Sequence, residues 1–464
     1  MFAQDGMLDA ISKLRPPAPA PQASSLGPVA LLRVLASNPL EAWTEAHFSE
    51  PVVLGGLPFT RVAVVSEPAA IRRVLLYNTE NYQKDWLQRR VLSAGLTDGL
   101  LTAERRQWRT QRRALAPLFA RRSVMHYAAP MIDAARAAVV RLKPRQGQTV
   151  DMAVEVTRVT LDVLERTIFS DGFGTDPEEI RRGMKTYFET VGRLDRLDVL
   201  GVAKMLPRFV RSKAQAELRF FERAVDGIIA TRREQIGKTG YRASDDLLTH
   251  LLQASDPQTG ETLSESEVCA NVLTFIAAGH ETTANCVTWS LFLLSQSPEW
   301  RARVTAEADR ELDGEPQTLA DRLVETRAAI DESNRLYPPI AAISRSALGP
   351  DALAGQPIQK GTMVVIAPYV LHRHRALWPE PDRFEPARFL PDAPDKIDRF
   401  AYLPFGVEPR TCVGATFALQ EAAIVLATLM RHFRFTPAPD HRVWPVQKMT
   451  LRPEGGLPML VEAG

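Results

Sequence analysis

Apolar residues recur every three or four positions, between Arg, Glu and Asp, across 68–78, 104–119, 129–143, 151–168, 176–193 and 211–236. The same spacing returns at 298–312, 318–336 and 414–432. It gathers the apolar side chains on one stripe, so each span is predicted to be helical. Residues 264–296 stand apart, with no proline, one glycine (Gly279) and apolar residues on most faces. At about 1.5 Å per residue, that run predicts a buried helix about 50 Å long. Short β patterns lie at Pro58–Ser66 and Gly361–Leu371, and Pro and Gly divide the last thirty residues into strands and turns. There is no internal repeat and no Gly/Ser linker. The expected fold is mainly α with small β-sheets, a single large helical domain threaded by one long central helix.

Composition sets limits on this picture. The chain has 464 residues, with 57 Lys plus Arg against 55 Asp plus Glu and a net charge of +2. Hydrophobic residues at 45% and charged residues at 24% exclude the disordered, collagenous and coiled-coil classes. So weak a net field gives no argument for nucleic-acid binding. The three cysteines, Cys269, Cys286 and Cys412, fit neither a disulfide framework nor a four-thiolate zinc site, and they suit a reducing compartment. The apolar runs Val268–Gly279 and Ala284–Ser297 fall short of the ~18 residues that a membrane span needs. Asp5, Asp9, Lys13 and Arg15 interrupt the first fifteen residues, so no secretory signal is expected and the cytoplasm is the expected location. Proline-rich Arg15–Pro21 predicts an extended lead-in over 1–25, followed by one domain over 26–464.

Two polar features interrupt the apolar pattern. In the middle of the central helix, AAGHETTAN (Ala277–Asn285) gathers a carboxylate and two hydroxyls. Hydroxyls bonding back to the preceding turn would satisfy such a kink, and so would a functional site. Farther on, FGVEPRTCVG (Phe405–Gly414) runs straight into the helical ATFALQEAAIVLATLM. A helix N-terminus favours an ionised thiol, and turn amides can donate to its sulfur. Cys-x-Gly alone fits a buried, inert cysteine equally well.

The whole ten-residue pattern, however, closely resembles the haem-thiolate loop of the cytochromes P450. Three further motifs fall in that family's order. ESNR (Glu332–Arg335) matches its Glu-x-x-Arg, and Arg388 in FEPARF matches the third member of the same network. AGHETT (Ala278–Thr283) matches the oxygen-activation motif, and WRTQR (Trp108–Arg112) the Trp-x-x-x-Arg that bonds a haem propionate.

The resemblance implies a haem b (iron protoporphyrin IX) with Cys412 as axial ligand. It implies Glu281 and Thr282 as the proton relay, with Ala278 or Gly279 kept small beside the porphyrin. Trp108, Arg112, Arg345 and Arg410 are implied at the propionates, and Phe405 and Gly414 in the loop. Glu332, Arg335 and Arg388 would form a structural network behind the thiolate. A solvated surface arginine remains the alternative for Arg345. One position departs from the pattern: Glu408 stands where the family's loop has glycine. If that site needs positive φ, the side chain costs about 1–2 kcal/mol. Glu408 is expected to point outward. It reads either as tolerated variation or as a substitution that weakens haem retention or partner docking.

The implied reaction is insertion of one oxygen atom from O2 into a hydrophobic organic substrate, a hydroxylation or related oxidation. No nucleotide fingerprint, flavin domain or iron–sulfur cysteine set accompanies the motifs, so electrons are expected from a separate ferredoxin or flavodoxin-type donor and its reductase. The seven arginines between Arg105 and Arg122, with no acid among them, are the candidate docking face. Segments 82–101, 173–209, 273–278, 340–344 and 447–450 are expected to line the substrate pocket, with Ala277, Ala278, Ala341 and Ala342 as its small residues. Arg193, Arg196 and Lys204 are candidate carboxylate contacts at its entrance. A monomer is expected. Two alternatives stay open: a peroxide-driven peroxygenase or haem-thiolate isomerase, and a non-enzymatic haem-binding protein impaired by Glu408.

Overall fold

The structure, a computed structural model, describes residues 14–57, 60–86, 88, 98–170, 212–236, 238 and 245–464. The 176–193 pattern, the 173–209 lining segment, and Arg193, Arg196 and Lys204 lie outside the described residues. Helices of eight or more residues are α1 (Pro28–Ser37), α2 (Arg105–Leu115), α3 (Ala128–Leu142), α4 (Met152–Ile168) and α5 (Ser212–Ile236). They continue with α6 (Glu265–Ser295), α7 (Pro298–Glu311), α8 (Val324–Leu336) and α9 (Ala415–His432). The architecture is mainly α with minor sheets, as the periodicity predicts.

The long apolar run forms α6, which packs along α4, α8 and α9. Its start is fixed by a capping box: Ser264 Oγ accepts from Glu267 N at 3.2 Å, and Glu267 Oε2 accepts from Ser264 N at 3.0 Å. Val268, Val272, Ile276, Val287, Leu291 and Leu294 are buried along it. Helix α3 closes the bundle against α4 and α9, and α7 covers α8 and α9.

The largest sheet has strand order β1-β2-β8-β5-β3, formed by β1 (Val52–Leu57), β2 (Thr60–Val65), β3 (Tyr82–Lys84), β5 (Ile343–Ala347) and β8 (Met363–Ile366). Strands β2 and β8 run parallel, and the other neighbours are antiparallel. A hairpin of β10 (Pro445–Gln447) and β11 (Leu451–Pro453) stands beside α6. Strands β4 (Thr149–Asp151), β12 (Pro458–Ala463) and β9 (Phe433–Pro437) form a three-stranded sheet in that order, and β6 (Asp351–Leu353) pairs with β7 (Gln356–Ile358), so the last strands appear where Pro and Gly place them.

Two predicted elements change shape. The 318–336 pattern divides into Leu319–Arg322 and α8, with Leu323 out of helical geometry at φ −82°, ψ 63°. The second start is capped from another helix. Buried Glu307 of α7 accepts from Glu325 N at 2.7 Å, Thr326 N at 2.8 Å and Thr326 Oγ1 at 2.7 Å. The 361–371 pattern is strand only over β8; after Ala367, Pro368 opens a helical turn to Leu371. The described part of the proline-rich lead-in, 14–21, is neither helix nor strand and is fastened to the body. Phe384 N donates to Leu14 O at 2.9 Å, and Tyr337 Oη to Pro17 O at 2.7 Å.

Candidate active site

One cavity of about 950 Å³ opens between the midpoint of α6, the loop before α9, α2 and β5. Trp108, Arg112, Ala278, Glu281 and Thr282 contribute to its wall. So do Arg345, Phe405, Arg410, Cys412 and Gly414. Every residue that the resemblance places at the cofactor or the relay therefore meets at one cavity. Ala341 does not line it; that residue is buried in the core.

The cysteine loop is wound by backbone bonds. Gly406 N donates to Leu403 O at 3.2 Å, Arg410 N to Val407 O at 3.2 Å, and Cys412 N to Phe405 O at 2.8 Å. The left-handed residue this winding requires is Gly406, at φ +68°. Glu408 is not at positive φ and is exposed, so the strain that a side chain would cause at such a position does not arise. The Cys412 side chain opens into the cavity. Burial raises its thiol pKa, while the Gly414 amide and the Arg112 guanidinium oppose that rise. Cys269 and Cys286 sit on α6, where burial pushes both thiols up to about 12.

Behind the loop lies a buried buttress. Glu332 and Arg335 are fully buried and paired through two bonds, Nε to Oε2 at 2.6 Å and Nη2 to Oε1 at 2.8 Å. Arg335 also donates to the carbonyls of His372, Pro381 and Arg383, and Glu332 accepts from Glu385 N. Arg388 Nε stands 3.7 Å from Glu332 Oε1, completing the expected network. His372, which sequence reasoning missed, joins the network to the loop: its Nε2 accepts from Leu403 N at 2.8 Å. That bond needs a neutral ring. Burial, then Arg335 and Arg373, lower the His372 pKa to about 3.

A cation cluster marks another side of the cavity. Lys84 of β3 and Arg345 of β5 are direct cross-strand partners, and like charges so opposed are unfavourable unless an anion joins them. Arg410 lies nearby, with its guanidinium 4.0 Å above the Trp108 ring and its Nη2 2.8 Å from Glu104 Oε2. Burial, together with Arg410 and Arg345, lowers the Lys84 pKa to about 8 despite Glu104 at 3.5 Å. Arg112 is set apart, with Cys412 and Glu408 as its electrostatic neighbours. Lys84, Arg345 and Arg410 against two carboxylates, Glu104 and Asp85, leave a surplus of positive charge that suits a ligand carrying carboxylates. Lys84 falls in the 82–101 segment expected at the pocket wall, but no motif singles it out within that segment.

On α6, Thr282 Oγ1 donates back to Ala278 O at 2.6 Å. Glu281 reaches the other way, its Oε1 accepting from Thr450 Oγ1 at 2.8 Å, and burial raises its pKa. The cavity thus joins a thiol at a helix N-terminus, a cation cluster and a carboxyl–hydroxyl pair.

The family model for cytochrome P450 matches residues 17–460. The chain belongs to the cytochrome P450 family. As a P450 it is an oxidoreductase of the haem b-dependent monooxygenase class. Its fold matches the crystal structure of the cytochrome P450DA heme domain with a TM-score of 0.83 and 26% identity, covering 97% of this chain and 99% of that one. Cyclooctat-9-en-7-ol 5-monooxygenase of Streptomyces melanosporofaciens is 33% identical over 388 residues, 82% of this chain and 81% of that protein. Pentalenene oxygenase of Streptomyces avermitilis is 33% identical over 361 residues, 76% and 77% of the two chains. Among the described residues, no helix of this P450 is long and apolar enough to cross a membrane.

Proposed function

We propose that this P450 oxidises a hydrophobic organic compound with O2 in the cytoplasm, using electrons from a separate ferredoxin or flavodoxin-type protein. One observation carries the reading: the Cys412 loop and Ala278, Gly279, Glu281 and Thr282 line the same cavity. A haem held by a thiolate supplies electron density that favours cleavage of an O–O bond. In this reading Cys412 would hold the haem iron, with its backbone fixed by the Phe405 carbonyl and its loop supported by the buttress of Glu332, Arg335 and Arg388. Trp108, Arg112, Arg345 and Arg410, joined by Lys84, hold the propionates. Phe405, Gly414 and Ala278 flank the porphyrin. Thr282, on giving up its bond to Ala278 O, would turn its hydroxyl toward the cavity, and Glu281 would hold the proton that the relay needs.

Leu100, Leu164, Ile168, Phe275, Ile340 and Met449 give the cavity an apolar wall, so shape and contact select the substrate. The two Streptomyces relatives take their names from an alkenol and an alkene, in keeping with such a wall. The arginine-rich helix supports a docking face, with changes to its membership. Arg106 pairs with Glu261 at 2.6 Å, Arg121 with Asp321 at 2.6 Å, and Arg113 with the fully buried Asp256. Arg109, exposed at the cavity rim, differs from Arg113 and Arg121 in having no ion pair among the described residues, so its charge is left to face an acidic partner.

The test is the spectrum of reduced protein with carbon monoxide, followed by product analysis. A thiolate-type red-shifted Soret band that C412S abolishes, with product formed from reductant and O2, is the expected result. Product from peroxide alone, with none from reductant and O2, would replace this reading with a peroxygenase.

A further inference from the structure

Glu281 is held from outside its own helix. Its Oε1 accepts from the Thr450 hydroxyl at 2.8 Å and lies 3.7 Å from Arg452 Nη1. Its Oε2 is buried with no hydrogen-bond partner among the described residues. Thr450 Oγ1 accepts from Asn285 Nδ2 at 3.0 Å, so its single hydroxyl proton is committed to Glu281. The next carbonyl, Leu451 O, accepts from Trp289 Nε1 at 3.3 Å. Glu281, Asn285 and Trp289 follow one another at four-residue spacing on α6, so one stripe of the central helix is fastened to the β10–β11 hairpin. Leu451 N donates to Pro339 O at 2.9 Å, which anchors the hairpin on its other side.

The turn of this hairpin has two faces. Lys448, Met449 and Thr450 wall the cavity, whereas the Arg452 side chain is 42% exposed. The carboxyl therefore stands between a surface that a substrate would touch and a cation that reaches solvent. Arg452 is the charge that faces it. His280, its neighbour on α6, sets Nδ1 on the Ile276 carbonyl and stays neutral through burial. Thr282 spends its hydroxyl proton on Ala278 O, so the Thr450 hydroxyl is what fixes the carboxyl's position.

We propose that Thr450 is a positioning residue for Glu281, and that the β10–β11 turn is the element through which a seated substrate sets the proton donor of the reaction. The proposal rests on the monooxygenase reading above. Substrate contact at Met449 and Thr450 orders the turn, and the ordered turn keeps the carboxyl between Arg452 and the cavity. A loosened turn lets Glu281 move off that line, and reducing equivalents are then lost to peroxide.

The test compares T450V, T450S, E281Q and the E281Q/T450V double variant as holoproteins with matched haem content. The first measure is product formed per reducing equivalent consumed. T450V is expected to lower it at least threefold, and T450S, which keeps the hydroxyl, to stay within twofold of the parent. In the E281Q background, T450V should add less than a twofold change, because a positioning residue has nothing left to position. An equal loss in both backgrounds would make Thr450 a wall of the substrate pocket and overturn the proposal. The second measure needs no turnover. In pH-difference infrared spectra, the carboxyl band that E281Q removes should titrate at higher pH in T450V, which lacks the donor to the charged form. An unchanged band would also overturn it. If the protein makes no product with any reductant, the functional reading falls, while the infrared result still decides the positioning role.

Discussion

His372 and His280 carry their rings fully inside the protein, with pKa values lowered to about 3 and about 4, chiefly by burial. The unfolded rings take up protons near pH 6.5, so between that value and the folded pKa the unfolded chain binds more protons. Stability must therefore fall as pH drops below about 6.5, by up to about 1.4 kcal/mol per pH unit for each ring. In urea titrations between pH 7 and 5, H372Q should show a shallower loss than the parent, because Gln keeps a neutral acceptor for the Leu403 amide. An identical slope would remove His372 from the acid sensitivity. Single residues of this kind were the least legible in the sequence. Lys84, His372 and Thr450 lie in no motif, and only the folded chain gives them their partners.

At the scale of elements, the joints carry the measurable energy. Helix α8 begins on the Glu307 carboxylate, so E307A leaves two backbone amides without their acceptor and should cost about 1–2 kcal/mol, read from the urea midpoint. Removing Arg335 does more, because it takes the two-bond partner from the fully buried Glu332. A loss of about 3–5 kcal/mol is expected for R335A, with part of it recovered in E332A/R335A. Strict additivity in that double variant would contradict a coupled pair. Long periodic helices were legible because burial of one stripe dictates their spacing, and α6 matches its predicted span to within a residue at each end. The break at Leu323 was not, since its cause is a carboxylate from another helix. Neither was α1: PVALLRVLAS is apolar almost throughout, with no buried residue and no stripe to read.

For the whole molecule, a net charge of +2 says little, because two arginines of α2, Arg106 and Arg113, are answered by acids brought from elsewhere while Arg109 is not. Reversing Arg109 should slow reduction by an acidic donor, with the difference shrinking as salt rises. Reversing Arg113 should instead lower the thermal midpoint, since it strands buried Asp256. Stopped-flow reduction at two ionic strengths, beside thermal melts, separates the two effects. A salt-independent rate for R109E would remove that helix as the dock. The motif order was legible enough to predict one shared cavity, because three of the motifs line it and the fourth supports its cysteine loop from behind. The cavity wall and the buttress of Glu332, Arg335, Arg388 and His372 share no side chain, and a hydrogen bond to the backbone amide of Leu403 joins the buttress to the loop. Descendants of this chain can therefore exchange wall residues and acquire new substrates by drift, while the support of Cys412 is inherited unchanged.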